Sequence, residues 1–195
     1  MDHVTLPALE NLEVVIGFDW NTDLDEAADL LVKALSSLQH RSSSQLRELT
    51  IHPEMILTSP NFTQLSLHTI RILHILFEYN ATNKDMQREA LKALQDSTFF
   101  SGLTTLHIEI EFYSDNNPVD GYEYIPALVK MLDARRTNVG SGTTRLASIR
   151  LDGTVLPSGR RKPIDIPQPA DSPSYQHLLE LRRDGLELSG SGFPW

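Results

Sequence analysis

Hydrophobic and polar residues alternate in five short runs along this chain. Each run opens with Leu or Ile and carries further apolar residues three and five positions later; the runs begin at Leu9, Leu46, Ile70, Leu103 and Leu146. Alternation with a period of two residues is typical of a strand with one buried face. The sequence therefore predicts five related strands, the longest over residues 9–18, 70–77 and 103–112.

A different apolar period follows each of the three longest runs. Residues 24–38, 86–94 and 125–132 carry apolar side chains three or four positions apart, which is typical of an amphipathic helix. The run at Leu46 is different, because Pro53 and Pro60 follow it without a clear apolar stripe, so we expect an irregular crossover there. A short helix over 175–183 and a last strand over 186–188 complete the predicted elements.

The strand-like runs recur at uneven intervals. Their central apolar residues are 37, 24, 33 and 43 positions apart, namely Leu12, Leu49, Leu73, Leu106 and Ile149. Leucine-rich repeats are about 20 to 29 residues long and open with the same L-x-x-L-x-L spacing. We therefore predict an α/β fold: an irregular leucine-rich-repeat-like solenoid of parallel strands with helices on the outer face. One repeat-like domain over residues 1–195 is expected.

The last fifth of the chain changes composition. Five prolines fall within residues 157–173, and such density is unfavourable to both helix and sheet. We predict a proline-rich exposed loop at 157–173 and a flexible tail at 189–195, where serine and glycine alternate before the final residues.

Composition narrows the classes of function. A net charge of −9 disfavours nucleic acid as a partner, because phosphate binding depends on clustered lysine and arginine. No apolar run is long enough to cross a membrane, and the first residues lack the pattern of a secretory signal. The sequence contains no cysteine, which fits a reducing compartment. We expect an intracellular protein, cytoplasmic or nuclear, with neither a nucleic-acid nor a membrane partner.

Polar residues between the buried positions form two predicted rows if the strands stack in parallel. One row contains Glu13, Thr50, His74, His107 and Arg150, and the next contains Val15, His52, Leu76, Glu109 and Asp152. Because solenoids bind partners on their strand face, the polar members are the candidate partner-binding residues. The competing interpretation is a solvated sheet face, which needs polar residues to stay in contact with water.

The sequence provides little for catalysis. His107, Glu109 and Glu111 alternate on one strand and could in principle bind a divalent ion, but polar residues with this period are also expected on any half-exposed strand. A G-x-S-x-G elbow and a phosphate-binding glycine loop are both absent from the sequence. We assign no catalytic residue, no metal site and no cofactor.

Two segments carry a resemblance to a known family. Residues 128–136 with 144–151, and the ending 178–188, are similar to the C-terminal, leucine-rich-repeat-like part of fungal F-box proteins. The resemblance implies a region that holds the protein to be ubiquitinated. In that family a separate F-box of about forty residues binds a cullin-ligase adaptor; this sequence contains no F-box, so an adaptor is expected only for a longer form.

Two hypotheses for function therefore stand beside each other. The first is a non-catalytic interaction module that binds a protein partner of unknown identity on its strand face, resembling the substrate receptor of a ubiquitin ligase. The alternative is a small α/β enzyme, hydrolase-like, with its site at the C-terminal ends of the strands. Half-polar strands favour the first, because a sheet covered by helices on both faces has nearly continuous apolar strands.

Overall fold

The structure, a computed structural model, describes residues 10–14, 24–41, 46–58, 67–79, 84–112, 125–137, 143–155, 162–163 and 172–191. The described strands are β1 (Asn11–Glu13), β2 (Glu48–Ile51), β3 (Ile72–Tyr79), β4 (Thr105–Phe112), β5 (Ser148–Val155), β6 (Lys162–Pro163) and β7 (Glu187–Ser189). The described helices are α1 (Leu24–Arg41), α2 (Pro53–Thr58), α3 (Lys84–Ala93), α4 (Ile125–Thr137) and α5 (Pro173–Arg183), with a short 3-10 turn at Leu67–Thr69.

The strands form one sheet that does not close on itself. Strands β1 to β5 pair side by side in the order of the chain, and every one of these pairs is parallel. The far edge of β5 is shared, because β7 pairs in parallel with its beginning and β6 pairs antiparallel with its end. The described part of the protein is thus a mixed α/β fold around a six-stranded parallel sheet with one short antiparallel strand.

The repeated apolar spacing explains the register of the sheet. The central apolar residues of successive strands lie opposite one another and form one column: Leu12, Leu49, Leu73, Leu106, Ile149 and Leu188. A second column, two residues further on, contains Ile51, Ile75, Ile108 and Leu151, all with no exposed surface. One face of the sheet therefore lies in the core, as alternation predicts.

The entry into each strand is also repeated. The carbonyl of the residue before one strand accepts hydrogen bonds from two consecutive amides at the start of the next. The accepting residues are Glu10, Arg47, Arg71 and Thr104, and Ala147 accepts one such bond from Glu187 at 2.9 Å. Equivalent backbone positions at the entries of neighbouring strands are thus hydrogen-bonded to each other across the sheet.

The helices contact one another in chain order, α1 with α2, α2 with α3, α3 with α4 and α4 with α5. Most of their buried apolar residues belong to the same core cluster as the strand columns, and Leu91, Leu128 and Leu132 have no exposed surface. Arg136 links α4 to the segment before β5 and to the end of α5, because it donates to the carbonyls of Leu146 and Asp184. The described helices therefore form a row whose order follows that of the strands.

A buried arginine organises the connection between α3 and β4. Arg135 of α4 is 2% exposed and donates to the carbonyls of Leu94 at 2.6 Å and Phe100 at 3.1 Å. It also donates to the carbonyls of Asp96 and Phe99. Burial lowers the pKa of Arg135 to about 10, which leaves the guanidinium charged at neutral pH. Four carbonyls of one connection therefore converge on a single side chain.

Several predicted elements are confirmed, and others need correction. Strands and helices occur in the predicted order, with a short β1 in place of the long strand expected at 9–18; residues 15–23 lie outside the described residues. The crossover expected to lack a clear helix begins with α2, in which Pro53 is the first residue. Proline fits there because the first turn of a helix has amides without internal partners.

The C-terminal predictions are partly outside the described residues. Within the predicted proline-rich loop at 157–173, Lys162 and Pro163 form β6, so the segment is not wholly irregular, and Pro173 starts α5. The flexible tail predicted from residue 189 begins too early, since Ser189 ends β7 and Ser191 is hydrogen-bonded to β5. Residues 192–195 lie outside the described residues.

Candidate functional site

The sheet carries polar side chains on the face opposite the buried columns, and we call this surface the polar face. Its first row follows the register of the strands: Glu13, Thr50, His74, His107, Arg150 and Ser189. The second row contains Leu76, Glu109 and Asp152. The flanking positions of the face include Glu48, Thr105, Ser148 and Glu187 on one side and Glu111 and Thr154 on the other. The predicted first row is thus assembled by parallel pairing.

Not every candidate residue is accessible on this face. Thr50 and His52 are buried, at 9% and 6% exposure, so neither offers its side chain to a partner. Val15, placed in the predicted second row, lies outside the described residues. The accessible candidates are Glu13, His74, His107, Glu109, Arg150 and Asp152.

Two histidines stack at the centre of the polar face. The rings of His74 and His107 lie 3.9 Å apart between centroids and are tilted by only 6°. This follows from the register, because His74 of β3 lies directly opposite His107 of β4. Each ring also faces a carboxylate: Nε2 of His74 lies 3.5 Å from Oε2 of Glu109, and Nε2 of His107 lies 2.9 Å from Oδ2 of Asp152. The stack is therefore flanked by acceptors along the second row.

Asp152 is the most connected side chain of the polar face. Its Oδ2 accepts a hydrogen bond from Nε of Arg150 at 2.6 Å, and its Oδ1 accepts one from the backbone N–H of Ser191 at 3.0 Å. Burial alone would raise the pKa of the Asp152 carboxyl, but hydrogen bonds from Ser191, Arg150 and His107 outweigh it and hold the pKa below its usual range. Asp152 is therefore ionised at neutral pH and already engaged by several donors.

A turn after β7 completes the edge of the face. Gly190 has a φ of 107°, and a Cβ there would lie 2.1 Å from the carbonyl oxygen of Leu151, so only glycine allows this approach. The approach places Ser191 beside β5, where its hydroxyl accepts a hydrogen bond from the N–H of Gly153 at 3.1 Å. The stretch of β5 between its pairs with β7 and β6 is thus covered by this turn.

An open depression of about 690 Å³ lies along this edge of the polar face. Its walls are formed by side chains of β4 and β5 and by the turn after β7: His107, Glu109, Arg150, Asp152, Gly153, Thr154, Ser189, Gly190 and Ser191. The volume falls within the range of small-molecule and side-chain binding pockets. Its polar side-chain groups are two carboxylates, three hydroxyls, one imidazole and the guanidinium of Arg150, so hydrogen-bond acceptors are the larger share.

Among the described residues, no group of three or more His, Asp or Glu side chains is placed to hold a metal ion. His107, Glu109 and Glu111 do share one face of β4, as their spacing predicts, but Glu111 is buried at 7% exposure. In the same part of the chain, no helix is long and apolar enough to cross a membrane.

Sequence reasoning missed the contribution of Ser189, Gly190 and Ser191. Their composition predicts a flexible tail, because serine–glycine stretches usually form flexible linkers. The contrary signal was weak: the preceding Leu186 and Leu188 continue the apolar alternation of the earlier strands. The position of the turn depends on pairing between β5 and β7, which are 39 residues apart at Ile149 and Leu188.

Comparison with known proteins identifies no relative. No protein-family model matches the chain, no curated protein matches it, and no solved structure matches it.

Proposed function

We propose that this chain is a non-catalytic protein-interaction module that binds a protein partner on its polar face. We place it with irregular leucine-rich-repeat-like solenoids, similar to the substrate-binding region of F-box ubiquitin-ligase receptors. Support for the solenoid comes from strands paired in chain order, from equivalent hydrogen bonds at each strand entry and from helices that contact one another in the same order. Support for the family remains the resemblance of residues 128–136, 144–151 and 178–188.

The position of the polar groups carries the proposal. His74, His107 and Arg150 occupy the third position of eight-residue strands, and Glu109 and Asp152 occupy the fifth. An α/β enzyme usually gathers its reactive groups in a crevice beyond the C-terminal strand ends. Here the described groups are spread along the middle of neighbouring strands, which favours contact with an extended surface.

The polar groups are also engaged with each other. The carboxylate of Asp152 accepts from Arg150 and Ser191, and Glu109 faces His74 and the hydroxyl of Thr154. Mutually satisfied side chains of this kind can present a fixed pattern of charge and hydrogen-bonding groups to another protein. This is the chemistry of recognition through complementarity.

The test is a quantitative capture of partners from cells in which the protein occurs. The wild-type chain is compared with a double variant, Glu13→Lys with Arg150→Glu, which rearranges charge on the polar face at constant net charge. The control, Glu89→Lys with Lys92→Glu, reverses the exposed ion pair on α3 and also keeps the net charge. We expect one partner to be captured by the wild-type and control chains and lost with the face variant.

Two outcomes decide the proposal. If all three chains retain the same partners, or if none retains a specific partner, the proposed function is wrong for this face. Folding of each variant is checked by its urea unfolding midpoint. The ligase part of the proposal is tested with a longer form of the chain that includes any F-box encoded upstream, whose partners are captured in parallel. Recovery of a cullin adaptor with the extended form alone supports this part. Failure of the extended form to recover an adaptor contradicts it.

A further inference from the structure

We infer that the polar face is built for a basic segment of polypeptide, a stretch rich in lysine or arginine on the partner. This inference rests on the proposed interaction function, because it names the chemistry of the partner at the same surface. It is carried by the charges that the register brings together, by the way in which the arginine on the face is already used, and by the acceptor-rich depression beside β5.

The first observation is the balance of charge on the described polar face. Parallel pairing gathers carboxylates from five strands onto this face: Glu13, Glu48, Glu109, Glu111, Asp152 and Glu187. Arg150 is the only lysine or arginine among the described residues of the same face. The net charge of the whole chain, −9, has the same sign as this local excess.

The second observation is that Arg150 is already paired with a carboxylate of the polar face. Its Nε lies 2.6 Å from Oδ2 of Asp152, so the guanidinium and this carboxylate form a local ion pair. The carboxylates of Glu13 and Glu187 are exposed and Glu48 is half-buried, and none of these three makes an ion pair with a described lysine or arginine. They remain available to cations of a partner.

The third observation is the depression that ends on Asp152. Glu109 and Asp152 line it together with the hydroxyls of Thr154 and Ser191, all of which can accept hydrogen bonds. Arg150 lines it as well, with its guanidinium already paired to Asp152. A lysine ammonium offers three N–H donors and an arginine guanidinium five, so either side chain matches a wall of acceptors. An acidic segment or a phosphate backbone would instead meet carboxylates at close range, which is unfavourable.

The test uses defined peptides and the full chain. Three fluorescein-labelled peptides of about ten residues alternate glycine with lysine, glutamate or serine, and their binding is followed by fluorescence anisotropy. We expect the lysine peptide to bind at least about tenfold more tightly than the glutamate peptide at about 50 mM salt. The preference should fall sharply at about 300 mM, because screening shortens the range of exposed charges.

A matched pair of variants separates the effect of charge on the polar face from the effect of the net charge of the protein. Arg150→Gln and Lys130→Gln each remove one positive charge, but Arg150 lies on the polar face and Lys130 is exposed on α4. We expect Arg150→Gln to tighten binding of the lysine peptide about two- to fivefold, because the nearby carboxylates lose their cation. Lys130→Gln should leave the affinity unchanged.

A second pair tests the carboxylates in the opposite direction. Glu13→Gln with Glu187→Gln should weaken the lysine peptide about three- to tenfold. Asp85→Asn with Glu89→Gln, which removes the same charge from exposed positions of α3, should have little effect. All four substituted carboxylates are exposed, so these variants retain the core.

Three results would overturn the inference: no binding of the lysine peptide, a preference for the glutamate peptide, or equal effects of the face and helix variants. Its failure is distinguishable from failure of the proposed function. A native partner that is lost with the face variant and contacts the face without a basic segment would refute the inference and keep the function. Site-specific binding of the lysine peptide with no captured partner would keep the inference and refute the proposed function.

Discussion

Arg135 illustrates how one side chain can hold a connection that has no regular structure. The connection from Leu94 to Phe100 presents four carbonyls to this guanidinium, in hydrogen bonds that are buried for Leu94, Phe99 and Phe100 and partly buried for Asp96. Phe100 also has a φ of 53°, a left-handed conformation that is uncommon outside glycine. A multivalent donor stabilises this conformation by pairing its carbonyls, because each buried carbonyl without a partner would be costly.

We predict that Arg135→Met destabilises the protein by about 3 kcal/mol. Methionine approximates the length of the side chain but donates no hydrogen bond, so four carbonyls lose their donor. The measurement is urea unfolding followed by circular dichroism. Arg183→Met, at an exposed position in the last turn of α5, is the control and should change stability by less than about 0.5 kcal/mol. A loss below about 1 kcal/mol for Arg135→Met would contradict the role given to Arg135.

Gly102 permits a close approach between its own backbone and that of His68, and a substitution can test this packing. A Cβ at Gly102 would lie 2.1 Å from the carbonyl oxygen of His68, so Gly102→Ala requires the backbone to shift. We expect a loss of about 2 to 4 kcal/mol. Gly185 is the matched control: its φ of 87° is strained for alanine, but nothing lies within 4 Å, so Gly185→Ala should cost about 1 kcal/mol. Equal losses in thermal or urea unfolding would refute the steric explanation.

A histidine joins the last two helices of the row. Nε2 of His177 on α5 lies 2.9 Å from Asp133 of α4, and its Nδ1 lies 2.9 Å from Glu180. The hydrogen bonds to Asp133 and Glu180 raise the pKa of His177 above its ordinary value of 6.5. Protonated His177 therefore links α5 to α4 through Asp133, while Glu180 of its own helix holds the second ring nitrogen.

This link predicts a pH dependence of stability with a defined sign. Because the pKa of His177 is raised in the folded protein, its contribution is complete below about pH 6.5 and disappears as the pH rises through the folded value. His177→Gln should lower stability at about pH 5.5 and have no effect at about pH 9. The loss should stay below about 1 kcal/mol, since the pair is more than a third exposed.

Unfolding midpoints in urea at these two pH values measure the effect. His68→Gln, at an exposed position in the 3-10 turn, is the control and should show no comparable difference. A His177→Gln effect that grows with rising pH would contradict the proposed link.

The elements also show where pattern reading succeeds and where it fails. The recurring Leu and Ile positions, spaced three and then two residues apart, predict β2 to β5, because alternation reports directly which residues face the core. It missed α2, whose six residues are too few to display a helical period and begin with a proline. It also placed Ser189 in a flexible tail, because a three-residue strand depends on its neighbour more than on its own composition.

The sheet has a stable centre and a weaker edge. Every residue of β4 pairs on both sides, with β3 and β5, and its Leu106, Ile108 and Ile110 have no exposed surface. By contrast β1 is three residues long, and both Asn11 and Glu13 are exposed. Strands in the middle of a sheet open only when much of the protein unfolds, whereas short edge strands open locally.

We therefore predict that, among the described strands, backbone amide hydrogen exchange is slowest in β4 and fastest in β1, with rates that differ by about 100-fold or more. Native-state exchange followed by NMR or mass spectrometry measures this directly. Peptides that cover α3, which lies between the two strands in sequence, provide an internal reference. Equal protection of β1 and β4 would show that the described sheet opens as one unit.

The order of parallel strands and the sides on which their residues lie could be predicted from the amino-acid pattern, because burial imposes a period that is visible locally. For this reason the alternation alone predicts that Glu13, His74, His107 and Arg150 share one row, as the register shows. Contacts across rows could not be predicted in this way. The stack of His74 on His107, the ion pair of Arg150 with Asp152, and the turn that brings Ser191 to Asp152 depend on register and side-chain rotamers, which are set by packing between segments distant in sequence.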